Sequence, residues 1–290
     1  MLKSEGKRKM RKGVVPSLFG CHVSGMRFMM CLTLTVFAAP LAAEIITPDQ
    51  IERFRESDVV FLGELHDNPH HHANQAAAVS ALRPGAVVFE MLTPDKAALI
   101  TPELLSDEGE LARKLDWAQS GWPDFAMYYP IFQASEGAMI LGAQVTREDA
   151  RAAVMGDGVT ARFGEDADQY GLTDALPEAQ QSRREAMQMS AHCDALPETM
   201  LAGMVMVQRY RDATLARAVT HAAHEVDGPV VVITGNGHAR TDWGVPSLLP
   251  KELNVVSIAQ LEQPPEPGQP HDYWVVTDPA EREDPCKAFQ

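Results

Sequence analysis

The sequence predicts an α/β protein with a mainly parallel sheet flanked by helices and a smaller helical insertion or subdomain. Three observations carry this reading. Short runs rich in Val, Ile and Phe recur along the chain, as strands buried on both faces require. Turn-forming residues and a helical stretch follow most of them, the alternation that produces parallel strands joined by crossovers. Between the third and fourth runs lies more helix than one crossover needs.

The first 43 residues stand apart from that alternation. Lys3, Lys7, Arg8, Lys9, Arg11, Lys12 and Arg27 precede an apolar stretch from Phe28 to Ala39, and Pro40-Leu41-Ala42-Ala43 supplies small residues for cleavage after Ala43. This is the pattern of a secretory signal peptide, too short and wrongly flanked for a spanning helix. Met26 is an alternative start, since the segment from there is already a compact signal. Cys31 stands at the front of the apolar run, a poor place for a lipid acceptor, so the expected product is soluble, periplasmic or secreted, and not lipid-anchored.

The first strand is Val59 to Leu62, closed by Gly63. Asp67-Asn68-Pro69 then supplies a cap and a first-turn proline for a helix through Leu82, which Arg83-Pro84-Gly85 ends. Ala86 to Phe89 is the second strand, ending in Glu90, and Thr93-Pro94-Asp95 opens another helix. A tryptophan-rich segment, 117–132, precedes a third strand over 138–145. Residues 157–175 read as irregular loop. Helices over 177–191 and 197–224 form an insertion, about 176–226, within a domain of residues 44–262. Val230 to Thr234 is the fourth strand and Asn254 to Ile258 the fifth. A proline-rich linker opens the tail, 263–290, in which Tyr273 to Thr277 reads as an edge strand.

The chain has 290 residues, 45% of them hydrophobic and 22% charged, with a formal net charge of −15. Without residues 1–43 the charge is roughly −21, which disfavours nucleic acid and anionic membrane faces. An anionic ligand would therefore need a local cluster of Arg or His. Cys193 and Cys286 remain after cleavage, either as a disulfide or as two separate thiols.

One short pattern occurs twice, Gly63-Glu64-Leu65-His66 and Gly235-Asn236-Gly237-His238, each time directly behind a buried strand. In an open α/β sheet ligands bind outside the carboxyl ends of the strands, so the two turns should converge on one crevice. Glu64 and Glu90 end the first two strands, which as neighbours would bring both acids near His66. Such a set could hold a divalent metal and activate water, or the acids could orient the imidazoles. His70, His71 and His72 point in different directions on a helix and read as an exposed polar first turn. On the long helix, Leu201, Val205, Leu215 and Val219 share a stripe; Gln208 and Asp212 lie within about 20° of its centre and Arg211 near its edge. Polar groups there need partners or a cavity, and three together point to a cavity.

Phe61-Leu62-Gly63-Glu64-Leu65-His66-Asp67-Asn68-Pro69, Phe89-Glu90-Met91, Tyr128-Tyr129-Pro130-Ile131-Phe132, His192-Cys193, Gln208-x-x-Arg211-Asp212 and Gly235-Asn236-Gly237-His238-Ala239-Arg240 together resemble the ChaN family of haem-binding, iron-regulated uptake proteins. That family belongs with Tiki and TraB-like proteins. The resemblance spans Ile51 to Ile258. It implies non-covalent haem bound in a homodimer, with a tyrosine on the iron and histidine at the propionates. Tyr128 matches the family tyrosine and Tyr129 is the reserve. The pocket would draw on His66, His192, Gln208, Arg211, Asp212, His238 and Arg240. An outer-membrane haem receptor or a periplasmic transporter would be its partner. No C-x-x-C-H is present, which excludes covalent c-type attachment.

Two other readings compete. A Tiki-like metal-dependent hydrolase would use Glu64, His66, Glu90 and His238 around a divalent ion. A metal-free esterase would use His66 as general base, although no G-x-S-x-G elbow is present. Trp117, Trp122, Phe125, Tyr128 and Phe132 also make sense as an aromatic core.

Overall fold

The computed structural model describes residues 44–266, 268–284 and 286–287. The expected signal peptide lies outside them. Among the described residues the strands are β1 Glu44–Ile45, β2 Val59–Glu64, β3 Ala86–Phe89, β4 Met139–Gly142, β5 Val230–Gly235, β6 Val255–Leu261 and β7 Tyr273–Val276. They form one sheet in the order β1-β7-β6-β2-β5-β3-β4, and every pairing is parallel. The central strands β2, β3 and β5 are buried at every position, as strands covered on both faces must be.

The helices are α1 Pro69–Leu82, α2 Pro94–Ala97, α3 Pro102–Leu105, α4 Glu108–Lys114, α5 Phe125–Ala134, α6 Arg147–Met155, α7 Val159–Phe163, α8 Glu178–Ala191, α9 Glu198–Glu225 and α10 Val245–Leu248. Strand residues alternate between two cores. Val60, Leu62, Val87, Phe89, Val231 and Ile233 pack with Val79 and Leu82 of α1 and with Tyr128, Ile131 and Phe132 of α5. Val59, Phe61, Val88, Val230 and Val232 pack with Leu215, Ala216, Val219 and Ala222 of α9. The apolar stripe read on the long helix is thus a true core face. Asn68 caps α1 by accepting the His70 N–H at 2.9 Å, with Pro69 in the first turn.

Three expectations need correction. Residues 157–175 are not loop throughout: α7 and a 3-10 turn at Glu165–Ala167 place Val159, Phe163, Ala167 and Leu172 in a third core with Tyr210 and Ala213 of α9. Those apolar anchors are too widely spaced among polar residues to look helical. β7 is not an edge strand, because the two-residue β1 covers its outer side. β2 and β3 are not neighbours, because β5 runs between them and pairs with both. Cys193 and Cys286 form a disulfide that ties the α8–α9 turn to the C-terminal segment. Among the described residues no helix is long and apolar enough to cross a membrane.

Candidate functional site

The ends of β2 and β5 lie side by side, Gly63 opposite Thr234 and Glu64 opposite Gly235, so the two G-x-x-H turns emerge together. Asn236 continues the sheet beyond its strand: its side chain donates to the Gln260 carbonyl at 2.7 Å and accepts the Gln260 N–H at 3.1 Å. A Cβ on Gly63 would collide with that amide. On Gly235 a Cβ would lie 2.9 Å from His66 Nε2, so the imidazole rests against bare backbone. Glycine is needed at both positions for close approach.

His66 heads one buried chain of polar groups. Its Nδ1 lies 2.7 Å from Glu64 Oε1, and the Tyr128 hydroxyl donates to the same oxygen at 2.7 Å. Glu64 Oε2 and His72 Nδ1 are both buried without a hydrogen bond, 3.8 Å apart. Burial pushes the Glu64 pKa up, but the bond and charge of His66 outweigh it and leave it lowered. Burial likewise pulls His66 down, while the Glu64 hydrogen bond and the Glu90 charge raise it overall. Glu64 therefore orients the ring and strengthens the imidazolium.

His238 heads the second chain. Its Nδ1 is 2.6 Å from Asp212 of α9 and its Nε2 is 3.4 Å from Glu90 Oε1. The other Glu90 oxygen accepts from the Thr234 hydroxyl at 2.7 Å and the Gly235 N–H at 2.8 Å. Burial opposes charge on both groups, but the two carboxylates raise His238 to about 9. The His238 and His66 charges with the Gly235 and Thr234 bonds lower Glu90 to about 2. A charged imidazolium clamped between acids joins the long helix to the strand ends.

Both chains reach one cavity of about 490 Å³, within the roughly 300–1,000 Å³ range of small-molecule sites. Among the residues that line it, the structure brings together His66, Glu90, Gln208, Arg211 and His238 of those expected. Tyr128 is not on that wall: it is fully buried behind Glu64, which with burial pushes its hydroxyl pKa above the ordinary range. Tyr129 donates to the Leu105 carbonyl at 3.1 Å. His192 Nδ1 lies 2.8 Å from the Gln188 carbonyl at the end of α8. Asp212 is spent on His238, and Arg240 forms a two-bond pair with Asp242 at 3.0 and 2.7 Å.

The histidine run is not an exposed turn. His70 is exposed, but His71 and His72 are fully buried, His71 accepting the Leu65 N–H at 2.9 Å and His72 Nε2 lying 2.9 Å from the His66 carbonyl. They brace the first motif from behind. Sequence reasoning missed Lys96, Arg147 and the cavity-lining place of Trp122, all on the cavity wall. Trp122 meets the His66 ring edge-on with centroids 4.9 Å apart, and its indole N–H is buried without a partner. Gly121-Trp122-Pro123, a turn ahead of α5, was the available signal. Among the described residues no group of three or more His, Cys, Asp or Glu side chains is arranged to hold a metal ion.

Comparison with known proteins matches residues 50–249 to a family model described as haem-binding uptake, Tiki superfamily, ChaN. No curated protein matches the sequence. A solved structure described as cofacial heme binding to ChaN of Campylobacter jejuni is similar at 20% identity and a TM-score of 0.57, over 78% of this chain and 89% of that one. The type III effector HopBA1 is similar at 12% identity and a TM-score of 0.47, over 83% of this chain and all of that one.

Proposed function

Because the chain belongs to the ChaN family of haem-binding uptake proteins, we propose that it binds haem non-covalently in the cavity at the ends of β2, β3 and β5 and serves haem uptake. The observation that carries this reading is the cavity itself. An imidazole backed by a buried carboxylate stands on one side, and Lys96, Arg147 and Arg211 supply cations in a strongly acidic chain. The residues fit the group: the unpartnered Trp122 N–H and the three cations suit propionate carboxylates. Haem, if bound, would supply an iron able to accept a side-chain ligand from the protein.

In this proposal His66 would hold the iron through Nε2, which would give up its proton to solvent on binding, while Glu64 keeps the Nδ1–H in place. The Tyr128 hydroxyl donates to Glu64 and has no exposed surface, so its role is to hold Glu64 in place. His238 stays charged and anchors α9 over the cavity.

Export is part of the same reading, supported by the signal-like first 43 residues and by a disulfide, which persists in oxidising compartments. So is a homodimer. Val154, Met155 and Met200 are exposed, and Val154 comes within 3.0 Å of where a Gly203 Cβ would lie, so α6 and the start of α9 share an apolar surface suited to a second copy. A receptor or transporter would hand haem to it.

Hemin titration tests the function. The purified protein is expected to develop a histidine-type ferric spectrum that His66→Ala abolishes and Tyr128→Phe preserves. A tyrosinate-type spectrum lost in Tyr128→Phe would move the ligand to Tyr128. The spectrum of free hemin at every ratio would overturn haem binding.

A further inference from the structure

Arg184 of α8 is an anomaly in this molecule. Its side chain is nine-tenths buried, yet none of the ion pairs among the described residues includes it. Its Nε–H is buried with no partner, and Nη2 makes only a long 3.4 Å contact to the Trp243 carbonyl. Burial holds the guanidinium below its ordinary pKa. Among the described residues no carboxylate comes within ion-pair distance of it: Asp212 and Asp242, the acids whose charge it feels, are in contact with His238 and Arg240 instead, so the cost of burying the cation is only partly offset.

Arg184 borders a recess of about 70 Å³ that shares only Gln208 and His238 with the larger cavity. Arg240, Gln188 and Asp212 also line it. Arg240 is already paired with Asp242, and Asp212 with His238, so Arg184 is the cation left to meet a ligand. The Trp243 ring packs against the guanidinium carbons of Arg183, Arg184 and Arg240 at 5.0, 5.2 and 4.1 Å, which fixes the fork in place.

We propose that this recess binds a small oxyanion, a carboxylate or phosphate group, on the forked guanidinium of Arg184, with the amide of Gln188 as a further donor. Arginine suits that task because its planar donors match the oxygens of both groups. The positive charge of His238 favours the same occupant, and Asp212 on the wall rejects a dianion placed close to it and limits the site to the Arg184 side. The recess borders Gln208, Asp212, His238 and Arg240, which the family resemblance places around haem, but the proposal rests on Arg184, outside that set, and is tested without hemin.

The test uses the purified protein without hemin, titrated with inorganic phosphate or acetate against chloride at constant ionic strength. Phosphate or acetate is expected to raise Tm beyond chloride, as a ligand of the native state does. Arg184→Met should weaken the apparent affinity at least tenfold, and Lys114→Ala, exposed at the end of α4 and outside both cavities, should leave it unchanged. The anion that responds names the class. In the unaltered protein the Trp243 indole N–H resonance, assigned with Trp243→Phe, should move during the titration, so the inference stays testable if Arg184→Met fails to fold. It is overturned if neither anion exceeds chloride, if the response persists in Arg184→Met, if Lys114→Ala removes it, or if the Trp243 resonance stays still.

Discussion

At the scale of single residues, the site is built from two imidazoles that differ in what holds them. His66 is partly exposed, has one carboxylate partner and lines the cavity, whereas His238 is buried with a carboxylate on each side. The first can meet a ligand and the second is a charged strut. This difference makes Glu64 a sensitive position. Replacing it by Gln keeps an acceptor for His66 and Tyr128 but removes the negative charge that stabilises the imidazolium. The His66 pKa, followed by NMR, is therefore expected to fall in Glu64→Gln; an unchanged titration would show that Glu64 does not control the ring. The motif spacing made both histidines and both glutamates legible in the sequence. It could not separate their roles, because Asp212 arrives from a helix 26 residues upstream of His238.

Among elements, α9 does most of the joining. Its apolar stripe covers one face of the sheet, Gln208 and Arg211 line the cavity, and Asp212 grips the second motif. The turn that precedes it is stapled to the C-terminal segment through Cys193 and Cys286, 93 residues apart. Cross-linking so long a loop restricts the unfolded chain, and Cys193→Ser is expected to lower stability by about 2–4 kcal/mol. Denaturant unfolding under non-reducing conditions measures this, and equal midpoints for both proteins would contradict it. The strands and long helices were legible because their apolar periodicity is local. β1 and α7 were not: two paired residues leave no periodicity, and the anchors of α7 make sense only against Tyr210 and Ala213.

For the whole molecule, buried histidines set the response to pH. Burial lowers His71 and His271 to about 4 from an ordinary 6.5, so the fold favours their neutral forms. Their contribution is complete above 6.5 and is lost as pH falls toward 4. His238, raised to about 9, contributes fully below 6.5 and loses that contribution as pH rises through 9. Tm should therefore be highest near neutrality and fall on both sides; a profile flat from pH 4 to 9 would refute this account. The sequence alone determined the α/β class, the two strand-end motifs and the family resemblance, since each rests on residues close together along the chain. Only the tertiary structure decided that β5 separates the strands of Glu64 and Glu90, that Tyr128 stands behind Glu64, and that Lys96, Trp122 and Arg147 complete the cavity wall. Strand order and side-chain direction are products of long-range packing, and no local pattern encodes which distant residue will occupy the space beside another.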